Sequence, residues 1–139
     1  MKWRTIEQAR EAGMKGSEEA LLESTLHWYQ VSTAKKKELM AKLRESDEQL
    51  LMEFHCALCF RYKTTNCIQG GGNCCLYTPG SLSCCFEWRI ASLTLKDYIR
   101  ASRADKPAAW EKWQCTSKVM YQRLVMECKK AGVDWKEPI

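Results

Sequence analysis

Histidine, proline and phenylalanine are scarce: 139 residues hold two, three and three of them. Two histidines are too few for the His-rich ligand sets of catalytic zinc. Neither His27 nor His55 is followed by Glu two positions on, which excludes the H-x-E arrangement of zinc deaminases. A Gly-x-Ser-x-Gly nucleophile elbow is missing. Gly70-Gly71-Gly72 is not followed by the Lys-Ser/Thr of a phosphate loop and reads as a turn. No stretch approaches the roughly 18 consecutive apolar residues of a membrane span, so no membrane partner is expected. Met1-Lys2-Trp3-Arg4 leads straight into charged residues, unlike a secretory leader, so a cytoplasmic, reducing setting is expected. These absences leave no catalytic constellation, and the chain is expected not to be an enzyme.

Hydrophobic residues make up 45% and charged residues 28%, which excludes a disordered or collagen-like chain. The length suits one domain with one core. The net charge of +5 is uneven. Residues 1–54 hold nine Lys/Arg against ten Asp/Glu, whereas residues 91–139 hold ten against six. A basic last third fits an acidic partner, protein or nucleic acid. Lys96, Arg100, Arg103 and Lys106, just before the last helical stretch, are the candidate partner-binding residues.

Residues 1–54 read as helices. Thr5-Ile6-Glu7-Gln8 is a capping box, with Gly13 as the expected stop. Ser17 is the expected cap of a second helix, with Leu22, Leu26 and Tyr29 on its apolar face, flanked by Leu21 and Trp28. Thr33 is the expected cap of a third, carrying Leu39, Met40 and Leu43, with Lys35-Lys36-Lys37 in water. Ser46-Asp47-Glu48-Gln49 predicts a short helix bearing Leu50, Leu51 and Phe54. Residues 86–139 return to helix. Pro107 suits the first turn of the last helix and Gly132 its left-handed stop. Trp110, Trp113, Met120, Leu124 and Cys128 recur at helical spacing as one core-facing stripe. The six tryptophans read as core, with Trp3 and Trp135 open to exposure, and His27 as a structural or surface residue.

What is abundant is cysteine. Seven of the nine fall between Cys56 and Cys85, in a segment rich in Gly, Asn, Thr and Ser and poor in apolar side chains. Such a segment cannot order itself by burial, and a bound metal can order it. Cys56-Ala57-Leu58-Cys59 is a C-x-x-C knuckle, whose spacing lets both thiolates face one ion. A second pair must come from Cys67, Cys74, Cys75, Cys84 and Cys85, with His55 as a further donor. One zinc is expected; two zincs, an iron–sulfur cluster, or disulfides and plain thiols are the alternatives. Cys115 and Cys128 are expected in the core. The fold class is thus mainly α: a single domain over 1–139, helical over 1–54 and 86–139, with a central irregular, metal-stabilised Cys-rich knot over 55–85.

Leu26-His27-Trp28, Cys56-Ala57-Leu58-Cys59 with Tyr62, Cys75-Leu76-Tyr77, Cys84, and a last helix with Met120 and Leu124 together resemble a group of small cysteine-cluster proteins of phages and prophages. The resemblance spans about residues 17–130, and the knuckle with its tyrosine is its most specific part. It implies a bound zinc and the ligand set Cys56, Cys59, Cys75 and Cys84. The chain departs from the pattern at Gly72, where a cysteine is expected, and at Leu76, where a proline is expected, so Cys67 or Cys74 can substitute in that set. The phage setting implies an accessory protein acting in the host cytoplasm. Its expected role is to bind and inhibit a host protein, an RNA-guided CRISPR-Cas nuclease in the manner of an anti-CRISPR. The competing expectation is a small nucleic-acid-binding zinc protein using its basic last third.

Overall fold

A computed structural model describes residues 2–45, 57–62, 74–76 and 85–138, and its elements there are helices. In chain order they are α1 (Ile6–Lys15), α2 (Ser17–Thr33), α3 (Lys36–Glu45), α4 (Ala57–Tyr62), α5 (Phe86–Arg100) and α6 (Lys106–Ala131). The expected helix over Leu50, Leu51 and Phe54 lies outside the described residues. No described helix is long and apolar enough to cross a membrane.

Helix α6 is the spine. The five residues of its expected stripe are all buried: Trp110, Trp113, Met120, Leu124 and Cys128. Pro107 sits in its first turn, where the missing N–H would have had no partner. It ends at Gly132 with φ 71°, a left-handed position that a side chain resists. The amide of Val133 reaches back to the Cys128 carbonyl (2.9 Å) and that of Gly132 to the Lys129 carbonyl (3.2 Å), which closes the helix in a Schellman motif.

Against α6 lie α2 and α5, and α4 packs on both α1 and α2. Helix α3 joins through Lys36, whose ammonium sits 5.3 Å from the Trp110 ring centre, and Met40, whose sulfur accepts from the Tyr98 hydroxyl (3.3 Å). Trp28, Leu39, Leu58, Leu76, Leu95, Trp113, Met120 and Leu124 fill the centre. Leu39 and Leu43 are buried as expected, and Lys35, Lys36 and Lys37 stand in water.

Three expected helix ends fail. Gly13 does not stop α1: its backbone stays helical, and its buried carbonyl accepts from Arg61 of α4 (3.4 Å). The break falls at Gly16, which also begins α2, so Ser17 is the first helical residue rather than the cap. Thr33 does not start α3 because its hydroxyl bonds back to the Tyr29 carbonyl (2.7 Å) and closes α2. The expected α2 face holds in part: its flanks Leu21 and Trp28 are buried, while Leu22, Leu26 and Tyr29 are half-buried, since α2 is covered on several sides and its enclosed residues also include Ala20, Ser24, Thr25 and His27.

The capping box at Thr5 forms in both directions, with Thr5 and Gln8 each accepting the other's backbone N–H. Trp3 and Trp135 are half-buried against the core.

Candidate functional site

Of the implied metal ligands, Cys56 and Cys84 lie outside the described residues. Cys59 falls within α4, and Cys75 is exposed on a described tripeptide between two buried neighbours, Cys74 and Leu76. Cys67 and His55 also lie outside the described residues. Among the described residues, no group of three or more His, Cys, Asp or Glu side chains is gathered closely enough to hold an ion.

The backbone pieces that carry Cys59 and Cys75 are nonetheless drawn to one region. The amide of Leu58 donates to the Ser24 hydroxyl of α2 (3.3 Å), fixing α4 there. The next residue, Thr25, meets the Cys128 thiol of α6 at 3.4 Å. Cys75 is held to the same helix, because Arg123 donates to its carbonyl (3.0 Å). Cys128 itself has a raised pKa. Burial is the chief cause, the Thr25 hydroxyl works against it, and the nearby charges of Cys75 and Glu127 add to it. So the segments bearing two implied ligands are held one to α2 and one to α6.

Cys85 has a different role. Its sulfur accepts the Trp88 amide (3.4 Å) and thereby caps α5, and it lies 3.9 Å from the Met120 sulfur. Cys115 corrects the sequence reading: it is exposed. Two residues beyond buried Trp113, it is turned about 200° around the helix and falls on the opposite face. Cys128 is buried as expected. His27 is buried and packs edge-on to Trp28, with ring centres 5.6 Å apart.

The four candidate partner-binding cations separate into three and one. Lys96, Arg100 and Arg103 are exposed, and none makes a hydrogen bond or ion pair with another described residue. Lys106 is half-buried: its ammonium donates to the Tyr98 carbonyl (2.9 Å) and lies 4.6 Å from the Tyr98 ring centre. It therefore holds the α5–α6 turn together.

Sequence reasoning missed two ion-pair junctions. Arg123 bonds Glu87 (2.8 Å) and Glu127 (3.0 Å) as well as the Cys75 carbonyl. Burial alone would lower its pKa, but the hydrogen bonds and charges of the two glutamates outweigh that, and the pKa is raised. The Arg123–Glu127 spacing of four was a readable signal, while the link to Glu87 was not. Arg4 holds nearly buried Glu23 with two bonds of 2.8 Å. The hydrogen bond to Glu23 is the main cause of its own raised pKa. The Arg4–Glu23 pair lines an open cleft of about 570 Å³ between α1, α2 and the Asp134–Lys136 tail.

No family model, curated protein or solved structure matches the chain. The fold places it among mainly helical proteins, and its function is argued from its own residues.

Proposed function

We propose that this chain is a non-enzymatic binding protein that acts by occupying a partner's surface. The observation that carries the reading is the cluster Lys96, Arg100 and Arg103, three exposed cations without an ionic partner among the described residues. Arg4 and Arg123, by contrast, are locked to glutamates. Unsatisfied charge gathered on one part of a surface favours an acidic partner and speeds its capture. The resemblance to phage cysteine-cluster proteins supplies the class of partner, a host protein, with an RNA-guided nuclease as the first to assay.

In this reading the cysteine-rich segment is held by one zinc through Cys56, Cys59, Cys75 and Cys84. Two features support the fit: thiolates in a C-x-x-C knuckle suit zinc, and the segments carrying Cys59 and Cys75 are held to α2 and α6, which meet at Thr25 and Cys128. A four-thiolate zinc contributes folding energy and leaves no position for a reacting water. The protein's own residues then do the rest: Ser24 and Arg123 hold the two segments, and the basic cluster meets the partner.

Two measurements test this. Elemental analysis of protein purified without chelators should give about one zinc per chain, lost in Cys56→Ser; protein free of metal contradicts the zinc, and a brown protein reassigns it to iron–sulfur. Inhibition of the partner should saturate near equimolar protein and weaken in Arg100→Glu/Arg103→Glu. Inhibition by trace amounts with turnover of a modified partner would reveal an enzyme. Binding to nucleic acid that falls steeply with salt would favour the competing reading.

A further inference from the structure

Helices α5 and α6 form an antiparallel hairpin whose register is fixed at two points. Thr94 and Thr116 share a hydroxyl bond of 2.7 Å, and Glu87 pairs with Arg123 at 2.8 Å. On α5, Phe86 and Leu93 stand seven residues apart on the outer side of that seam, with half-buried Ile90 between them. On α6, Val119 and Met126 are likewise seven apart on the outer side. Phe86 is 50% exposed, Leu93 46%, Val119 46% and Met126 45%. Single exposed apolar residues are ordinary, but four on one face of one hairpin are not. Towards the other end of the same face come Arg100 on α5 and Lys112 on α6, with the acidic Asp97 between them; Lys96, two residues past Thr94, is turned about 200° away from the seam. The face is thus apolar where α5 begins, and where it ends it carries two cations against one carboxylate.

We propose that this outer face of the α5–α6 hairpin is the seat of an acidic amphipathic helix of a partner protein. The inference rests on the binding-protein reading above and names the segment that the partner contributes. A furrow between two parallel or antiparallel helices accepts a third helix by ridge-into-groove packing. Charge complementarity selects its chemistry: acidic residues must face Arg100 and Lys112, and apolar ones Phe86, Leu93, Val119 and Met126. A second copy of this chain is a poor occupant, because each copy would bring its own cations to the same face. Nucleic acid would satisfy the cations and leave the four apolar side chains without a use.

The test is selection from a displayed library of helices about 20 residues long, with random charged and apolar residues on one face, against the full-length protein. The selected helices should carry net negative charge, with their apolar and acidic residues segregated along the length. Leu93→Glu/Val119→Glu should weaken their binding about tenfold or more, as should Met126→Glu with Phe86→Ser. All four residues are exposed, and unchanged melting of the variants checks the fold. Selected helices without net negative charge, or affinities unchanged in both apolar variants, overturn the proposal. So does binding of anionic lipid vesicles or oligonucleotides in place of any selected helix. If Arg100→Glu/Arg103→Glu weakens partner inhibition and the apolar variants do not, the docking reading survives and this inference fails.

Discussion

The two central helices are buried in opposite ways. Helix α6 is one-sided: its stripe from Trp110 to Cys128 faces the core, and Lys112, Cys115, Val119 and Met126 face out. Helix α2 is enclosed by α1, α4 and α6, and its interior surface includes Glu23, Ser24, Thr25, His27 and Ser32. A one-sided helix separates its residues into those that matter for stability and those that do not. An enclosed helix has few idle positions, and its polar residues carry bonds to neighbours.

That contrast can be broken by substitution. Trp113→Ala removes the largest fully buried side chain of α6 and should cost about 3–5 kcal/mol in denaturant melts. Arg4→Ala leaves nearly buried Glu23 on α2 without its bidentate cation, for an expected loss of about 2 kcal/mol. Glu23→Gln in the Arg4→Ala background should recover part of that loss, and no recovery would mean the pair is not the cause. Ser24→Ala removes the acceptor for the Leu58 amide and should cost about 1–2 kcal/mol, more than its size warrants.

A pH titration examines the joint between the two helices. Tyr29 of α2 packs on Tyr121 of α6 and on Trp135, and the Tyr121 hydroxyl accepts from Trp135 Nε1 (3.0 Å) while donating to Glu137 (2.9 Å). Burial first, then Glu137, raises the Tyr121 pKa above 10.0, against the Trp135 bond. A raised acid pKa means that its contribution is complete below the ordinary tyrosine value and is lost as pH climbs past it. Stability should therefore decline above about pH 10, and the decline should shrink in Tyr121→Phe. An unchanged profile in that variant would remove Tyr121 from the joint. The smallest effect is expected at Cys115→Ala on the outer face of α6, within about 0.5 kcal/mol. A loss there larger than at Ser24 would invert the comparison.

The same contrast explains what could be read in advance. The α6 stripe, its proline start and its glycine stop were legible because one face, one first-turn residue and one left-handed position each have a local signature. The α2 face is legible only in part, through Leu21 and Trp28, because enclosure is a property of its neighbours, and Ser24 and Thr25 look like solvent residues until Leu58 and Cys128 arrive beside them. Thr33 was misassigned because a threonine can bond back to the preceding turn as readily as it can cap the next one. Cys115 was grouped with Cys128 by residue type, although thirteen positions put them on different faces. The proposed ligand set rests on a sequence pattern, and Cys56 and Cys84 lie outside the described residues. A C-x-x-C spacing suggests one pair of thiolates, while any second pair depends on where the chain returns.

Helix α6 runs 26 residues, about 39 Å. It touches α2 and α5 along its length, takes Lys36 of α3 at Trp110, and holds Cys75 through Arg123. Unwinding its middle breaks the buried contacts of Trp113, Met120 and Leu124 with those neighbours. Its amide protons between Trp113 and Leu124 should therefore exchange with deuterium only when the whole molecule opens, while the first turns of α1 exchange by local fraying. The spine thus sets the global exchange rate, and any ligand that slows it binds the assembled fold.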